Sequence, residues 1–371
     1  MISPHPRLRF LLFSPFHMAS ASSTRAALDG LLQAQRTKDL EEYDARENHV
    51  PMTLIALYRF GASDEKLLAY REAVTGLPKR VLTTYLPQDQ LVPITSDSWD
   101  NSLGDLNLLP AFYCFFLQSI AHQGIPSTLS AFVPSLMRGI AGHAFHPLLR
   151  LGFALDVDIA EEVAISLAWW AATFRPSPPI QSNEFSPVEP EALLQSMIEC
   201  DELKAIPMAG NIESRICSLY VSPAFVRLLR PITLPSTDKP LKIIAGLIAK
   251  AFQDSHHFTL LHAVTACQAF HRLLPFIQDR LFDCVNSFWC AIVAAYLSVP
   301  RTSPLSGFLP QGEPHSWEGL QSLAIQAKGS VSEFEHTIKL IYACEREDEQ
   351  YGGAIYRALA TRELELPSRF S

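Results

Sequence analysis

His336 and Lys339 stand three residues apart in FEHTIKLIYACERE, the stretch Phe334–Glu347. On a helix that spacing puts an imidazole and an amine on one face. Most such pairs are solvated surface. Three other histidines, however, lie in apolar helical surroundings far apart in the chain: His49, His146 and His262. His146 comes just before Pro147, which suits the first turn of a helix, so its ring stands at the very start of that helix. His262 falls mid-helix among Phe258, Leu261, Val264 and Ala266. A lone histidine in such a place is ordinarily a core residue hydrogen-bonded to a carbonyl. Four of them in four separate segments suit another chemistry. Imidazole ligates iron, zinc or copper, and helical bundles build metal sites from single ligands on facing helices. Burial disfavours the charged form of a lysine. A neutral buried amine captures carbon dioxide as a carbamate, an anionic oxygen ligand on a long arm. The spacing shows only that Lys339 stands where such a ligand could be.

The elements that must position these groups read as helices. NHVPMTLIALYRFGAS is a helix with Asn48 as its N-cap and a stop at Gly61. Further helices are expected over Ala26–Tyr43, Ser63–Val74, Asp105–His122, Ser127–Arg138, His146–Leu155, Ile159–Phe174, Glu191–Cys200, Phe276–Leu297, Ser316–Ala327, Ser332–Glu347 and Gly352–Arg362, with one or two over Leu241–Leu274. Pro78–Trp99 and Pro300–Pro314 read as loops. The prolines of RPSPPIQSNEFSPVEPE forbid a continuous helix, which makes residues 175–189 a surface linker. Strand alternation is almost absent, and no repeat appears at solenoid periods. The expected fold is all-α: one large multi-helix domain over residues 25–371, with several helices around a buried histidine-rich cavity. Residues 1–24 read as a disordered or weakly targeting-like segment, with Met18 as an alternative start.

Of 371 residues, 48% are hydrophobic and 18% charged, enough apolar material for a sizeable core. The net charge is −8, with no basic patch interleaved with aromatics, which argues against a nucleic-acid partner. The seven cysteines are scattered and form no CxxC pair, so they read as reduced thiols in a cytoplasmic protein. No apolar run reaches the roughly 18–20 residues of a membrane span. Leu108–Ala121 and Phe288–Val299 read as buried helices, and no membrane partner is expected. G-x-G, P-loop, G-x-S-x-G and H-E-x-x-H signatures are all missing.

NHVPMTLIALYRFGAS, FHPLLRLGFAL, LLHAVTACQAF and the final block from Trp317 through EHTIKLIYACERE resemble, in order, the successive motifs of the questin oxidase-like family. The resemblance runs from His49 to Arg362. It implies an oxidoreductase that opens or oxidises rings of anthraquinone-type polyketides, acting on a small aromatic substrate with dioxygen. It also implies a mononuclear non-haem Fe(II) centre. Carried over by motif, the ligands are His49, His146, His262, His336 and a carboxylated Lys339, with no catalytic residue beyond them. His143, His256 and His257 are neighbouring alternatives. A Baeyer–Villiger-like outcome needs a reductant such as NADPH, for which the sequence offers no nucleotide fingerprint.

Phe145, Phe153 and Trp169 belong to an aromatic stock suited to lining a flat pocket or to ordinary core packing. Arg150, one turn after His146, is placed to meet a phenolate or enolate, or to form an ion pair. Two rival functions remain open at this stage. A metallohydrolase would use the same ligands with zinc-activated water, and a non-catalytic helical interaction protein would keep the site for stability.

Overall fold

A computed structural model describes residues 15–44, 49–77, 81–180, 185–234, 239–299, 315–327 and 330–365. Residues 1–14 of the segment read as disordered, Asn48, and residues 300–314 of the second loop lie outside the described residues. The described residues are overwhelmingly helical. In chain order come α1 (Pro15–Glu41), α2 (Val50–Arg59), α3 (Asp64–Thr75), α4 (Leu109–Leu136), α5 (His146–Ala154), α6 (Ala160–Ala172), α7 (Pro190–Glu199), α8 (Asp201–Lys204) and α9 (Ile212–Tyr220). They are followed by α10 (Pro223–Leu228), α11 (Lys242–Ser255), α12 (Phe258–His271), α13 (Leu281–Leu297), α14 (Trp317–Gln326), α15 (Val331–Tyr351) and α16 (Ala354–Glu365).

The expected all-α architecture holds, with local differences. Helix α1 begins at Pro15, inside the stretch read as disordered. Two short strands, β1 (Glu42–Asp44) and β2 (Val81–Thr84), pair antiparallel, and the second falls in what reads as loop. Three or four residues are too few for alternation to register as a pattern. The described part of the proline-rich linker runs mostly exposed, and it is pinned where the buried Ser177 accepts two hydrogen bonds from the Arg138 guanidinium, at 2.8 and 3.2 Å. One stretch, Gln278–Leu297, is long and apolar enough to cross a membrane by length and composition. Two-thirds of it, 67%, is buried against the rest of the protein, as in the core helix of a globular fold.

At the centre α2, α5, α12 and α15 pack each against the next, in a ring that closes from α15 back onto α2. Glycine sets one of these distances. A Cβ on Gly152 would lie 2.8 Å from the Cβ of Ala269, so only the bare backbone lets α5 approach α12 this closely. A capping box fixes the start of α15: the Ser330 hydroxyl takes the Glu333 N–H, and the Glu333 carboxylate takes the Ser330 N–H. A buried ion network ties α1 to this ring. Arg150 Nη1 donates to Asp39 at 2.7 Å, and its Nη2 lies 3.4 Å from Glu162. Arg36 Nη1 reaches the other Glu162 oxygen at 2.6 Å, and Gln35 donates to Asp39 at 2.8 Å.

Candidate functional site

Each helix of the central ring contributes one imidazole at the same level. His49 is the N-cap residue of α2, one position beyond the Asn48 expected in that role; His146 is the first residue of α5. His262 comes from the middle of α12 and His336 from the second turn of α15. Their ring centroids form a closed circuit: His49 to His146 4.7 Å, His146 to His262 5.1 Å, His262 to His336 5.3 Å, and His336 back to His49 4.7 Å. Lys339, 1% exposed, brings its Nζ into contact with His49 Nδ1.

Three of the four rings are held in one tautomer by the backbone. His146 Nδ1 lies 2.6 Å from the His143 carbonyl, His262 Nδ1 2.9 Å from that of Phe258, and His336 Nδ1 2.6 Å from that of Ser332. A carbonyl oxygen only accepts, so each Nδ1 carries the proton and each Nε2 keeps its lone pair. This is how metal-ligating histidines are usually oriented, with the far nitrogen anchored and the near one free to bind. The Nε2 of His146 is buried and has no hydrogen-bond partner. Left so, a buried polar nitrogen destabilises a fold, which calls for an explanation.

The electrostatics keep the rings neutral. Burial is the main cause for all four: it holds His49, His146 and His336 well below the usual histidine range and lowers His262 to about 3. The Lys339 amine and the neighbouring imidazoles push in the same direction. Lys339 is itself lowered to about 7 by burial, with the Glu335 carboxylate pulling the other way. Glu335, one turn earlier on α15, is raised to about 7 by burial and accepts a 2.6 Å hydrogen bond from the buried Tyr70 hydroxyl.

A pH dependence follows. Above the unfolded histidine pKa of about 6.5 both states are neutral and the rings contribute nothing. As pH falls from there, the unfolded chain takes up protons that the folded rings refuse, so stability is lost. His262→Gln should flatten the acid side of the stability profile of metal-free protein by up to about 1.4 kcal/mol per pH unit. Glu335, whose folded pKa is raised, opposes the trend between its unfolded value and about 7, so the difference between variant and parent is the quantity to measure. Urea unfolding between pH 7 and pH 5 checks it, and parallel profiles would show that His262 accepts a proton in place.

The other residues singled out from sequence fall in different places. His143 lies at the edge of the circuit, its ring 5.5 Å from that of His146 and 5.5 Å from Trp169. His257 caps α12 by accepting the Thr259 N–H, and His256 closes α11 in a left-handed conformation, 4.0 Å from Glu363. Trp169, 1% exposed, packs edge-on against His143, 5.5 Å away. Phe145 is fully buried, and Phe153 packs against Tyr342 at 4.7 Å. Arg150 takes the second of its two expected roles, an ion pair: its terminal nitrogens are engaged by Asp39 and Glu162.

Two groups beside the circuit were not read from sequence as site residues. Phe258 sets its ring 4.6 Å from His262 and 4.7 Å from His336; its place four residues before His262 was the available signal. Tyr70, 265 residues from Glu335, left no local signal. Among the described residues no three histidine, cysteine, aspartate or glutamate side chains close on an ion as they stand, so the four rings are neighbours rather than a finished coordination sphere. Clefts of about 530, 360 and 280 Å³ are lined by none of the four rings or Lys339.

Fold and site together define a single-domain helical protein with a buried polyhistidine cluster. The family model described as Questin oxidase-like matches residues 46–232, half of the chain. The chain belongs to the questin oxidase-like family, whose name marks an oxidoreductase acting on small molecules. His49 and His146 lie inside the matched segment; His262, His336 and Lys339 lie beyond it. A comparison with curated proteins finds no match.

Proposed function

We propose that this chain is a non-haem iron oxidoreductase that uses dioxygen to oxygenate an electron-rich polycyclic aromatic or quinone, with ring opening as the outcome. The observation that carries the reading is the closed circuit of four neutral imidazoles, one from each helix of the central ring, with Lys339 against His49. The donor set fits the metal. Neutral imidazoles suit Fe(II), three are anchored through Nδ1, and the His146 Nε2 lacks any other partner.

His49, His146, His262, His336 and a carboxylated Lys339 would hold the ion, which supplies the one-electron chemistry that lets dioxygen react with a closed-shell aromatic. The chain's own work is positioning and proton handling. The carbonyls of His143, Phe258 and Ser332 fix three rings. Lys339, near pKa 7, holds a substantial share of free amine at neutral pH. Its nitrogen bonds to the carbon of carbon dioxide and releases one proton, leaving the negative charge on the carbamate oxygens. Glu335, also near 7, is placed one turn away to take that proton. Phe258 covers two of the rings and keeps water off them.

Metal analysis after anaerobic Fe(II) loading tests the reading, with oxygen uptake then followed on a hydroxylated anthraquinone, with and without NADPH. About one iron per chain and uptake that needs both iron and substrate are expected. Dependence on NADPH would mark a monooxygenase outcome, and independence a dioxygenase. Zinc in place of iron without oxygen uptake overturns the proposal in favour of hydrolysis.

A further inference from the structure

Resting on that reading, we infer that Arg215 and Phe258 form the substrate-facing edge of the histidine circuit, and that the substrate presents an ionised phenolic oxygen beside its flat ring. His146, His262, His336 and Lys339 are all buried, whereas Phe258 keeps partial exposure while touching two of the imidazoles. His49 is partly exposed as well, and Phe258 is the partly exposed group on the side of His262 and His336, where a substrate approaching those two rings meets it. Arg215 on α9 reaches the same place: its Nη2 donates at 2.9 Å to Thr259 Oγ1. Thr259 directly follows Phe258 and precedes His262 by three residues, so it shares that side of α12.

What distinguishes Arg215 is its lack of a counter-charge. Among the described residues it forms no ion pair, and its buried Nε has no hydrogen-bond partner. The nearest acid on its own helix, Glu213, accepts the His143 N–H at 3.2 Å and lies 3.7 Å from Arg175. Arg150, by contrast, is flanked by two carboxylates. Burial alone acts on Arg215, lowering its pKa with no acid to offset the effect. A guanidinium in this condition gains from an anionic oxygen that accepts its free N–H groups. An aromatic side chain next to it offers the flat surface on which the ring bearing that oxygen packs.

The test titrates 2-hydroxyanthraquinone and its 2-methoxy analogue into iron-loaded and metal-free protein under argon, reading the visible band of the ionised phenol. The parent should bind the hydroxyl compound as the phenolate. Arg215→Met should weaken that binding about tenfold or more, abolish the ionised band and leave the methoxy compound unaffected. Arg215→Lys should restore part of the band, iron content being unchanged in both Arg215 variants, and Phe258→Leu should weaken both ligands in the metal-free protein. Equal effects of Arg215→Met on the two ligands, no effect on either, or failure of the parent to bind the hydroxyl compound each overturn the inference. The metal-free arm keeps this result separate from the iron proposal, which falls on absence of iron or of oxygen uptake.

Discussion

Lys339→Arg will leave the protein folded but unable to hold iron. Arginine stays charged at every accessible pH and forms no carbamate of the lysine kind. It would place a fixed cation against His49, where the charge opposes a divalent ion instead of adding a negative oxygen to it. Loss of a ligand should weaken iron binding by at least about 100-fold, beyond the 10- to 100-fold typical of outer-shell changes. Lys339→Ala should lose iron as well, yet recover part of it with added bicarbonate or a short-chain acid, because the vacated space admits a free carboxylate. Lys339→Met separates charge from shape: it removes a buried amine without adding a cation, so it should keep or raise stability while losing iron. Iron content and oxygen consumption of the three variants decide the matter. Full iron occupancy and undiminished turnover in Lys339→Arg would make the lysine a bystander.

The largest loss of stability should come from Glu162→Ala. Glu162 is fully buried and holds Arg36 through one oxygen and Arg150 through the other. Removing it strands the buried Arg150 with Asp39 alone and takes the only paired acid from Arg36 among the described residues. Breaking a buried pair in this way costs about 3–5 kcal/mol. Arg150→Met should also destabilise, since burial already raises the Asp39 carboxyl against the pull of Arg150 and would then act unopposed by that arginine. What it should not do is weaken aromatic ligand binding in the protein that remains folded. Urea unfolding curves give the first quantity, and ligand titration at low temperature the second. A selective loss of phenolate binding in Arg150→Met would return that residue to the substrate site.

The contrast between Arg150 and Arg215 shows where sequence stops being informative. Both are arginines on helices, and the local signal favoured the wrong one for an open guanidinium: Arg150 follows His146 by one turn, whereas Arg215 has no histidine near it in the chain. What separates them is Asp39, 111 residues away from Arg150 and brought there by packing. The histidines were legible because each imposes a local anomaly, a polar ring in an apolar helical stretch, and Lys339 because it follows His336 by one turn. The kink in α4 was legible too: the gap left between His122 and Ser127 contains Gly124, whose non-helical backbone at φ 80° divides the element into two helical halves. The break between α11 and α12 was left open, and its position was not legible. His256 turns left-handed there at φ 52°, at a site with neither glycine nor proline to announce it. Nor was the ring itself, since the contact of α2 with α15 joins segments from opposite ends of the chain.

Just before His146 the backbone turns left-handed three times in succession, at His143 (φ 48°), Ala144 (φ 57°) and Phe145 (φ 67°). Each such turn in a residue with a side chain costs on the order of 1 kcal/mol. The chain places glycine next door instead, at Gly142, where a Cβ would lie 2.3 Å from the Thr173 carbonyl oxygen. Glycine there answers a need for space, while side chains are retained where the backbone would favour glycine. The three positions differ in what they would lose. Phe145 is fully buried, and His143 stands beside His146 and Trp169, so their side chains have work in the fold. Ala144 offers only a methyl group. It is the position where drift toward glycine meets least resistance, and a lineage under pressure for thermal robustness would be expected to change there first, leaving the residues on either side in place.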